Sequence, residues 1–202
     1  MSGDTTFTPS EAAVVSGVPI HAVHKAIDEG PLEGARGRKS RRRSLKEVDL
    51  MYLAAASVFD PKLVQLTDQA KERLRKAIAA HCRAGKAPGK LMLFNGLEVE
   101  IRPVFSRVRS RAALLDRARK MVTTNPHIRG GEPVIRATRI GVYEVAAMGA
   151  GASEKEIEEF LGGYPTLRRE HLDLAQIYAA AYPRRGRPPK HPWHSTGAAA
   201  SA

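Results

Sequence analysis

Apolar residues recur at helical spacing in several stretches of the chain, which predicts a mainly helical protein. Around 67–82 these residues are Leu66, Ala70, Leu74, Ala77 and Ile78. Around 109–122 they are Leu114, Leu115, Ala118, Met121 and Val122. Between the two stretches, apolar and polar residues alternate over 91–101, and Asn95-Gly96 is typical of a type I′ hairpin turn. We therefore expect two helices that flank a β-hairpin.

The first thirty residues carry start and stop signals for two short helices. Thr8 can cap a helix, Pro9 suits its first position, and Glu11 completes a capping box. Gly17 is the expected end of this helix, because glycine readily adopts the left-handed conformation found there. A second helix is expected over 18–29.

Small and apolar residues in these two helices match a helix-turn-helix, in which they let the helices cross closely. They are Ala13, Gly17, Val18, Val23 and Ala26. A basic segment, 36–43, follows with six cations in eight residues. Ser44 and Glu47 then form a second capping box, so a third helix is expected to run to about Phe59.

The order helix, turn, helix, basic loop, helix over 5–60 resembles the MerR-type winged-helix DNA-binding domain. The resemblance implies that one face of the second helix lies toward the major groove, with His21, Ala22, His24, Lys25 and Asp28. It also implies that the loop cations bind phosphates or enter the minor groove; they are Arg38, Lys39, Arg41, Arg42 and Arg43. The alternative is a protein-binding module whose basic loop is a solvated tether.

A second organised stretch is the turn-rich segment 125–140. Asn125-Pro126 favours a turn, and Gly130-Gly131 allows positive φ at two successive positions. The residues 132–135 form a short extended run, whose proline restricts it to an edge or a strand start. Helical patterns follow, so this segment is a compact turn that precedes a helical unit.

The helices of that unit are expected over 142–148, 154–161 and 166–181. Glycines at 149 and 151 break the first helix, Ser153 caps the second and Thr166 caps the third. Three short helices of this kind resemble a helix-turn-helix. The middle helix carries four glutamates, a poor approach to phosphates, so we expect this unit to bind protein or itself. They are Glu154, Glu156, Glu158 and Glu159.

Residues 124–182 resemble the antitoxin-like family catalogued as domain of unknown function 433. The shared motifs are Gly131-Glu132-Pro133-Val134-Ile135, Thr138-Arg139-Ile140, Gly151-Ala152-Ser153-Glu154 and Tyr164-Pro165. Two positions depart from the family pattern: Ala137 replaces a glycine, and Gly141 replaces a proline. We therefore expect an ordinary, negative φ at Ala137 and a less firm start of the following helix.

The family resemblance implies an antitoxin of a type II toxin–antitoxin system, similar in role to the VapB antitoxins. It implies a PIN-like ribonuclease toxin as partner and operator double-stranded DNA as the ligand of a repressor. Two-fold operators, and a hairpin that lacks cover of its own, favour a homodimer. The alternative is that the flanking helices of the same chain cover the hairpin. Two other hypotheses stay open: a MerR-type effector-responsive transcriptional regulator, and an architectural DNA-binding protein.

The basic, proline-rich tail over 183–202 has two competing interpretations. In the first, arginines pair with the acidic metal site of the toxin and a tryptophan anchors the segment. These residues are Arg184, Arg185, Arg187 and Trp193. In the second, Arg185-Gly186-Arg187-Pro188 is an AT-hook core that enters a narrow A·T minor groove. A solubilising tail with neither role is the third possibility.

Composition narrows the functional classes. The net charge of +12 favours a polyanionic partner, either nucleic acid or an acidic protein surface. The single cysteine, Cys82, excludes an intramolecular disulfide and a cysteine-based zinc site. No stretch has the length of a membrane span, and the N-terminus has no apolar core of a signal peptide. We therefore expect a cytoplasmic protein that makes no membrane contact.

The sequence offers no group of residues with catalytic spacing. His21 and His24, like His191 and His194, lack carboxylates or thiols at metal-ligand spacing. Gly130-Gly131 is not followed by the Gly-Lys-Ser/Thr of a phosphate loop. We therefore expect no enzymatic activity, no cofactor and no metal.

The predicted fold class is mainly α with a small β hairpin. It places a winged helix-turn-helix at the N-terminus and a three-helix, helix-turn-helix-like domain at the C-terminus. Four segments result: a DNA-binding domain over 1–60, linking or dimerisation helices with the hairpin over 61–123, an antitoxin-like domain over 124–182, and the basic tail over 183–202.

Overall fold

The structure, a computed structural model, describes residues 5–28, 32, 43–59, 66–84, 89–94 and 97–184. Its helices are α1 (Pro9–Ser16), α2 (Ile20–Asp28), α3 (Glu47–Ala56), α4 (Asp68–Ala84), α5 (Arg102–Met121), α6 (Val142–Gly151), α7 (Glu154–Gly163) and α8 (Arg169–Ala181). Antiparallel pairs join β1 (Thr6–Phe7) to β2 (Leu45–Lys46), β3 (Lys90–Phe94) to β4 (Leu97–Glu100), and β5 (Val122–Thr123) to β6 (Val134–Ile135). The predicted mainly helical fold with a small hairpin is confirmed.

Two clusters of buried side chains organise the helices. The first joins α1 to α5 with the hairpin, and its fully buried members include Val15, Ile27, Leu50, Ile78 and Leu115. The second joins α6, α7 and α8, and includes Ile135, Val142, Val145, Leu172 and Ala175. The clusters meet along α5 and the end of α8, since α8 packs against α5 and Ala181 belongs to the first cluster. The division of the chain into four segments stays a prediction.

The first two helices form as predicted. The Oγ1 of Thr8 accepts the Glu11 N–H at 3.4 Å, and the Oε2 of Glu11 accepts the Thr8 N–H at 2.7 Å. Gly17 has a φ of 75°, the left-handed conformation that ends α1 and turns the chain into α2.

Within the described residues, no helix combines the length and the apolar character needed to cross a membrane.

The predicted cap of α3 at Ser44 is wrong. Residues 45–46 pair as strand β2, so the chain is still extended after Ser44 and the helix begins at Glu47. The cap is Lys46, whose N–H donates to the Oδ2 of Asp49 at 2.9 Å. Strand pairing with β1 therefore displaces the helix start that the local pattern favoured.

The predicted cap of α8 at Thr166 is also wrong. The helix begins at Arg169, and the N–H of Arg168 donates to the Nδ1 of His171 at 2.8 Å. The imidazole at the third helical position therefore accepts from the cap backbone, the role that glutamate or glutamine has in a capping box.

Helix α5 begins at Arg102, well before the predicted start at Arg109. Pro103 lies in its first turn, where a missing N–H leaves no helical hydrogen bond unmade. Ile101 ends the alternating hairpin pattern, and its side chain is fully buried. The hairpin therefore passes into α5 without a linker.

Helix α6 continues through Gly149, which was predicted to break it, and ends at Gly151. Packing against α8 gives the reason: a Cβ built on Gly149 would lie 3.2 Å from the Cβ of Leu172. Glycine at this position therefore serves the close approach of two helices and does not end one.

The turn-rich segment 125–140 has positive φ at Gly130 (65°) and Gly131 (86°), as predicted. After this turn the strand β6 pairs with β5. Arg129 of the turn donates from Nη1 to the Oε2 of Glu144 in α6 at 2.9 Å. The turn is therefore tied to both the strand pair and the following helix.

The expected negative φ at Ala137 is wrong, because its φ is 61°. Ala137 is the third residue of a turn in which the Thr138 N–H donates to the Ile135 carbonyl at 3.0 Å. The Ile135 N–H in turn donates to the Ile140 carbonyl at 2.9 Å. A turn with negative φ at its second residue and positive φ at its third favours glycine there. Closure of the turn thus overrides the preference of alanine.

Replacing Ala137 by glycine is expected to stabilise the fold by about 0.5–1 kcal/mol. The left-handed conformation costs alanine roughly 1–2 kcal/mol, and the added freedom of glycine in the unfolded chain returns part of the gain. The measurement is urea unfolding. Ala147→Gly in the exposed middle of α6 is the control and should destabilise by about 1 kcal/mol. Equal losses from both substitutions would show that Ala137 is not strained.

Candidate nucleic-acid interface

One face of α2 is polar and exposed. His21, His24 and Lys25 all lie on the surface, at the i, i+3 and i+4 spacing that places them on one side of a helix. Val23 and Ile27 on the other side are fully buried in the first cluster. Core packing therefore fixes which face of α2 a ligand can reach.

The last residue of the basic segment, Arg43, lies at the end of α2. The Nη2 of Arg43 lies 3.0 Å from the Oδ1 of Asp28, and both side chains are more than one-third exposed. A cation at this end also interacts favourably with the helix dipole. The other predicted phosphate-binding cations, Arg38, Lys39, Arg41 and Arg42, lie outside the described residues.

A strand pair holds the start of α1 beside the start of α3. In the antiparallel pairing of β1 with β2, Thr6 faces Lys46 and Phe7 faces Leu45. Phe7 and Leu45 are both buried in the first cluster. The residues that follow the basic segment are therefore anchored beside the start of α1, and this positions the segment's end next to α2.

A polar network that sequence analysis missed lies between α1, α5 and the end of α8. The buried carboxylate of Glu11 pairs with Arg119, Oε1 to Nη2, at 2.7 Å. The Nε of Arg119 donates to the Tyr182 hydroxyl at 2.8 Å, and that hydroxyl donates to Glu11. Only the local capping role of Glu11 was visible in the sequence, since its partners are more than one hundred residues away.

The charges of this network are fixed near neutral pH. Burial alone raises the pKa of Glu11, but hydrogen bonds from Tyr182, Thr8 and Arg119 more than offset it, so this pKa lies below its ordinary value of 4.5. Burial, and then the bond to Glu11, raise the pKa of Tyr182. The network is therefore a carboxylate held between a guanidinium and a neutral phenol.

The last described residues are also held in place. The Tyr143 hydroxyl donates to the Tyr182 carbonyl at 2.7 Å. Arg184 forms an ion pair with Glu132, and its guanidinium lies 4.5 Å from the centre of the Tyr143 ring. These residues line an open cleft of about 630 Å³ between α1 and α6. Of the predicted toxin-binding residues, only Arg184 is among those the structure describes; Arg185, Arg187 and Trp193 lie outside them.

Comparison with known proteins places the chain in a family. Residues 122–179 match the family described as "Protein of unknown function (DUF433)". The predicted match of 124–182 to domain of unknown function 433 is confirmed, with its bounds shifted by a few residues. The antitoxin role and the MerR-type resemblance of 5–60 stay predictions. A relative from Sinorhizobium fredii, "Uncharacterized protein y4eO", is 34% identical over 183 residues, which cover 88% of this chain and 82% of the relative. No solved structure gives a significant match. The chain thus belongs to the family of y4eO and carries a DUF433 domain in its C-terminal part.

Proposed function

We propose that the protein is the DNA-binding antitoxin of a type II toxin–antitoxin system. It binds operator double-stranded DNA through α2 and the basic segment, and so represses its own operon. It also neutralises a PIN-like ribonuclease toxin through its C-terminal part. The observation that carries the proposal is the exposed face of α2, which presents two histidines and a lysine. Arg43, the last residue of the basic segment, lies at the end of this helix.

The chemistry of this face suits base recognition. Lys25 can donate to the O6 and N7 acceptors of guanine, and a histidine can donate to or accept from base edges. Ile20 at the start of the helix is 40% exposed and offers an apolar contact to a thymine methyl group. Arg43, at the other end of α2, is one of the cations expected to bind phosphates. One helix face therefore combines the two kinds of contact that sequence-specific binding needs.

The antitoxin role rests on the family resemblance and on the division of charge along the chain. Helix α7 exposes four glutamates, whereas the tail that follows α8 has arginines and no acid. The glutamates suit a protein surface rather than DNA, and the tail suits an acidic partner. Self-association would supply two copies of α2 to a two-fold operator. The side chain of Met92 on the hairpin is 67% exposed, and a second copy of the chain could bury it.

The double substitution His24→Ala/Lys25→Ala is expected to weaken binding of the protein to the operator of its own operon by about 10–100-fold. It is also expected to change the base preference of the protein. Each good base contact contributes about 1–3 kcal/mol of discrimination. The measurement is fluorescence anisotropy of labelled duplexes over a salt titration.

Lys155→Ala, which removes an exposed cation from α7, is the matched control and should leave binding unchanged. Sedimentation of the wild-type complex should give two chains per operator. Equal affinity and equal base preference of the double variant and wild type would contradict DNA recognition by α2. A single chain per operator would contradict the dimer alone.

A further inference from the structure

Helix α5 carries an excess of positive charge that is only partly neutralised. Its cations are Arg102, Arg107, Arg109, Arg111, Arg117, Arg119 and Lys120, against one acid, Asp116. Four of the cations form ion pairs, with Glu47, Glu170, Glu11 and Asp116. The other three, Arg102, Arg107 and Arg111, form none with any residue that the structure describes.

Arg111 lies at the turn of the helix-turn-helix. A Cβ built on Gly17 would overlap the Nη1 of Arg111, so the guanidinium occupies the space beside the turn that a side chain would fill. Its side chain is half-buried, and within the described part of the chain it donates no hydrogen bond. The Arg111 guanidinium, which has five N–H donors, therefore lies beside Gly17, three residues before the start of α2.

Arg107 continues this charge along α5. Four residues of helix place it about 6 Å from Arg111 along the axis and on nearly the same side. Its side chain is exposed. Arg102 is different, since nine residues place it about 13.5 Å from Arg111 and on the opposite side of the helix. Only Arg107 and Arg111 therefore form a cationic strip that ends at the turn.

We propose that Arg107 and Arg111 bind DNA phosphates beside the groove that α2 enters, so that α5 is a second DNA-contacting element. This inference rests on the proposed DNA binding by α2. When the first turns of a recognition helix enter the major groove, the turn before it faces the sugar-phosphate backbone. A guanidinium at that position can bind a phosphate with two parallel hydrogen bonds. The absence of a base contact means that α5 adds affinity without sequence preference.

The experiment compares wild type, Arg107→Ala, Arg107→Ala/Arg111→Ala and the matched control Arg102→Ala in a salt titration on one duplex. Each lost phosphate contact should lower the slope of log affinity against log salt by about 0.9. We expect slopes lower by about 0.9 for the single variant and about 1.8 for the double variant. Arg102→Ala should keep the wild-type slope, and all variants should keep the wild-type base preference.

The outcomes separate this inference from the proposed function. If wild type binds and the double variant keeps its slope, α5 is not a contact and DNA binding by α2 stands. If wild type does not bind duplex DNA at low salt, both are overturned. If circular dichroism shows that the double variant is unfolded, the exposed Arg107→Ala variant decides, and an unchanged slope overturns the inference.

Discussion

Replacing Glu11 by alanine is expected to destabilise the folded protein by about 3 kcal/mol. Breaking a buried ion pair by removing one partner costs about 3–5 kcal/mol, and the lower end applies here because Arg119 keeps 31% of its side chain exposed. The substitution leaves the Arg119 guanidinium and the Tyr182 hydroxyl without their common acceptor, and it also removes the capping box of α1. Urea unfolding of the two proteins at pH 7 measures the difference.

The control is Glu154→Ala, which breaks an exposed pair with Arg169 and should have a much smaller effect. The pH dependence gives a second test. The pKa of Glu11 lies below its ordinary value of 4.5, so its contribution is complete above that pH and is lost as the pH falls through the folded-state pKa. The difference between wild type and Glu11→Ala should therefore shrink below about pH 4.5. A difference that is small at pH 7, or constant down to acid pH, would contradict a stabilising role of the pair.

A chain that ends at Arg184 is expected to lose toxin neutralisation while it keeps operator binding. Arg184 is already paired with Glu132 and Tyr143, so the arginines left for a partner are Arg185 and Arg187. Their loss together with Trp193 should weaken toxin binding by about 100-fold or more, since tryptophan and arginine hot spots each contribute about 2 kcal/mol or more. The measurements are inhibition of the ribonuclease and anisotropy of the operator complex.

A chain that ends at His194 is the matched control, because it loses only the small residues that follow and should neutralise like wild type. If the tail is instead an AT-hook, the chain that ends at Arg184 neutralises the toxin but binds A·T-flanked sites less tightly. If the chain that ends at Arg184 neutralises the toxin and binds DNA like wild type, the tail has neither role.

Local signals in the sequence were sufficient for much of the fold. The capping box of Thr8 and Glu11, the left-handed Gly17 and the hairpin all depend on residues within a few positions of each other. The exposed face of α2 was predictable for the same reason, since helical spacing alone separates Lys25 from the buried Ile27.

The features that sequence analysis missed depend on distant parts of the chain. Ser44 could cap a helix, but its neighbours pair with β1, which lies far away in sequence. A glycine such as Gly149 is typical of a helix end, yet here the close approach of α8 explains why the position is glycine. Ala137 is different, because the hydrogen bonds that set its φ against the preference of alanine lie within its own turn.

The candidate site divides in the same way. Periodicity placed His21, His24 and Lys25 on one face, but nothing near Arg119 in the sequence indicates a bond to Glu11 or Tyr182. The sequence shows that the segment of α5 is rich in arginine, but only the structure distinguishes the arginines that form ion pairs from Arg107 and Arg111.

The most direct measurement of DNA recognition is a footprint of the full-length protein on the DNA upstream of its own gene. We expect a protected site with the two-fold symmetry of a dimer, and an affinity that falls linearly on a log–log plot as salt rises. His24→Ala/Lys25→Ala should lose this footprint at a concentration at which Lys155→Ala retains it. No protection at low salt, or the same footprint from both variants, would contradict recognition of DNA by α2.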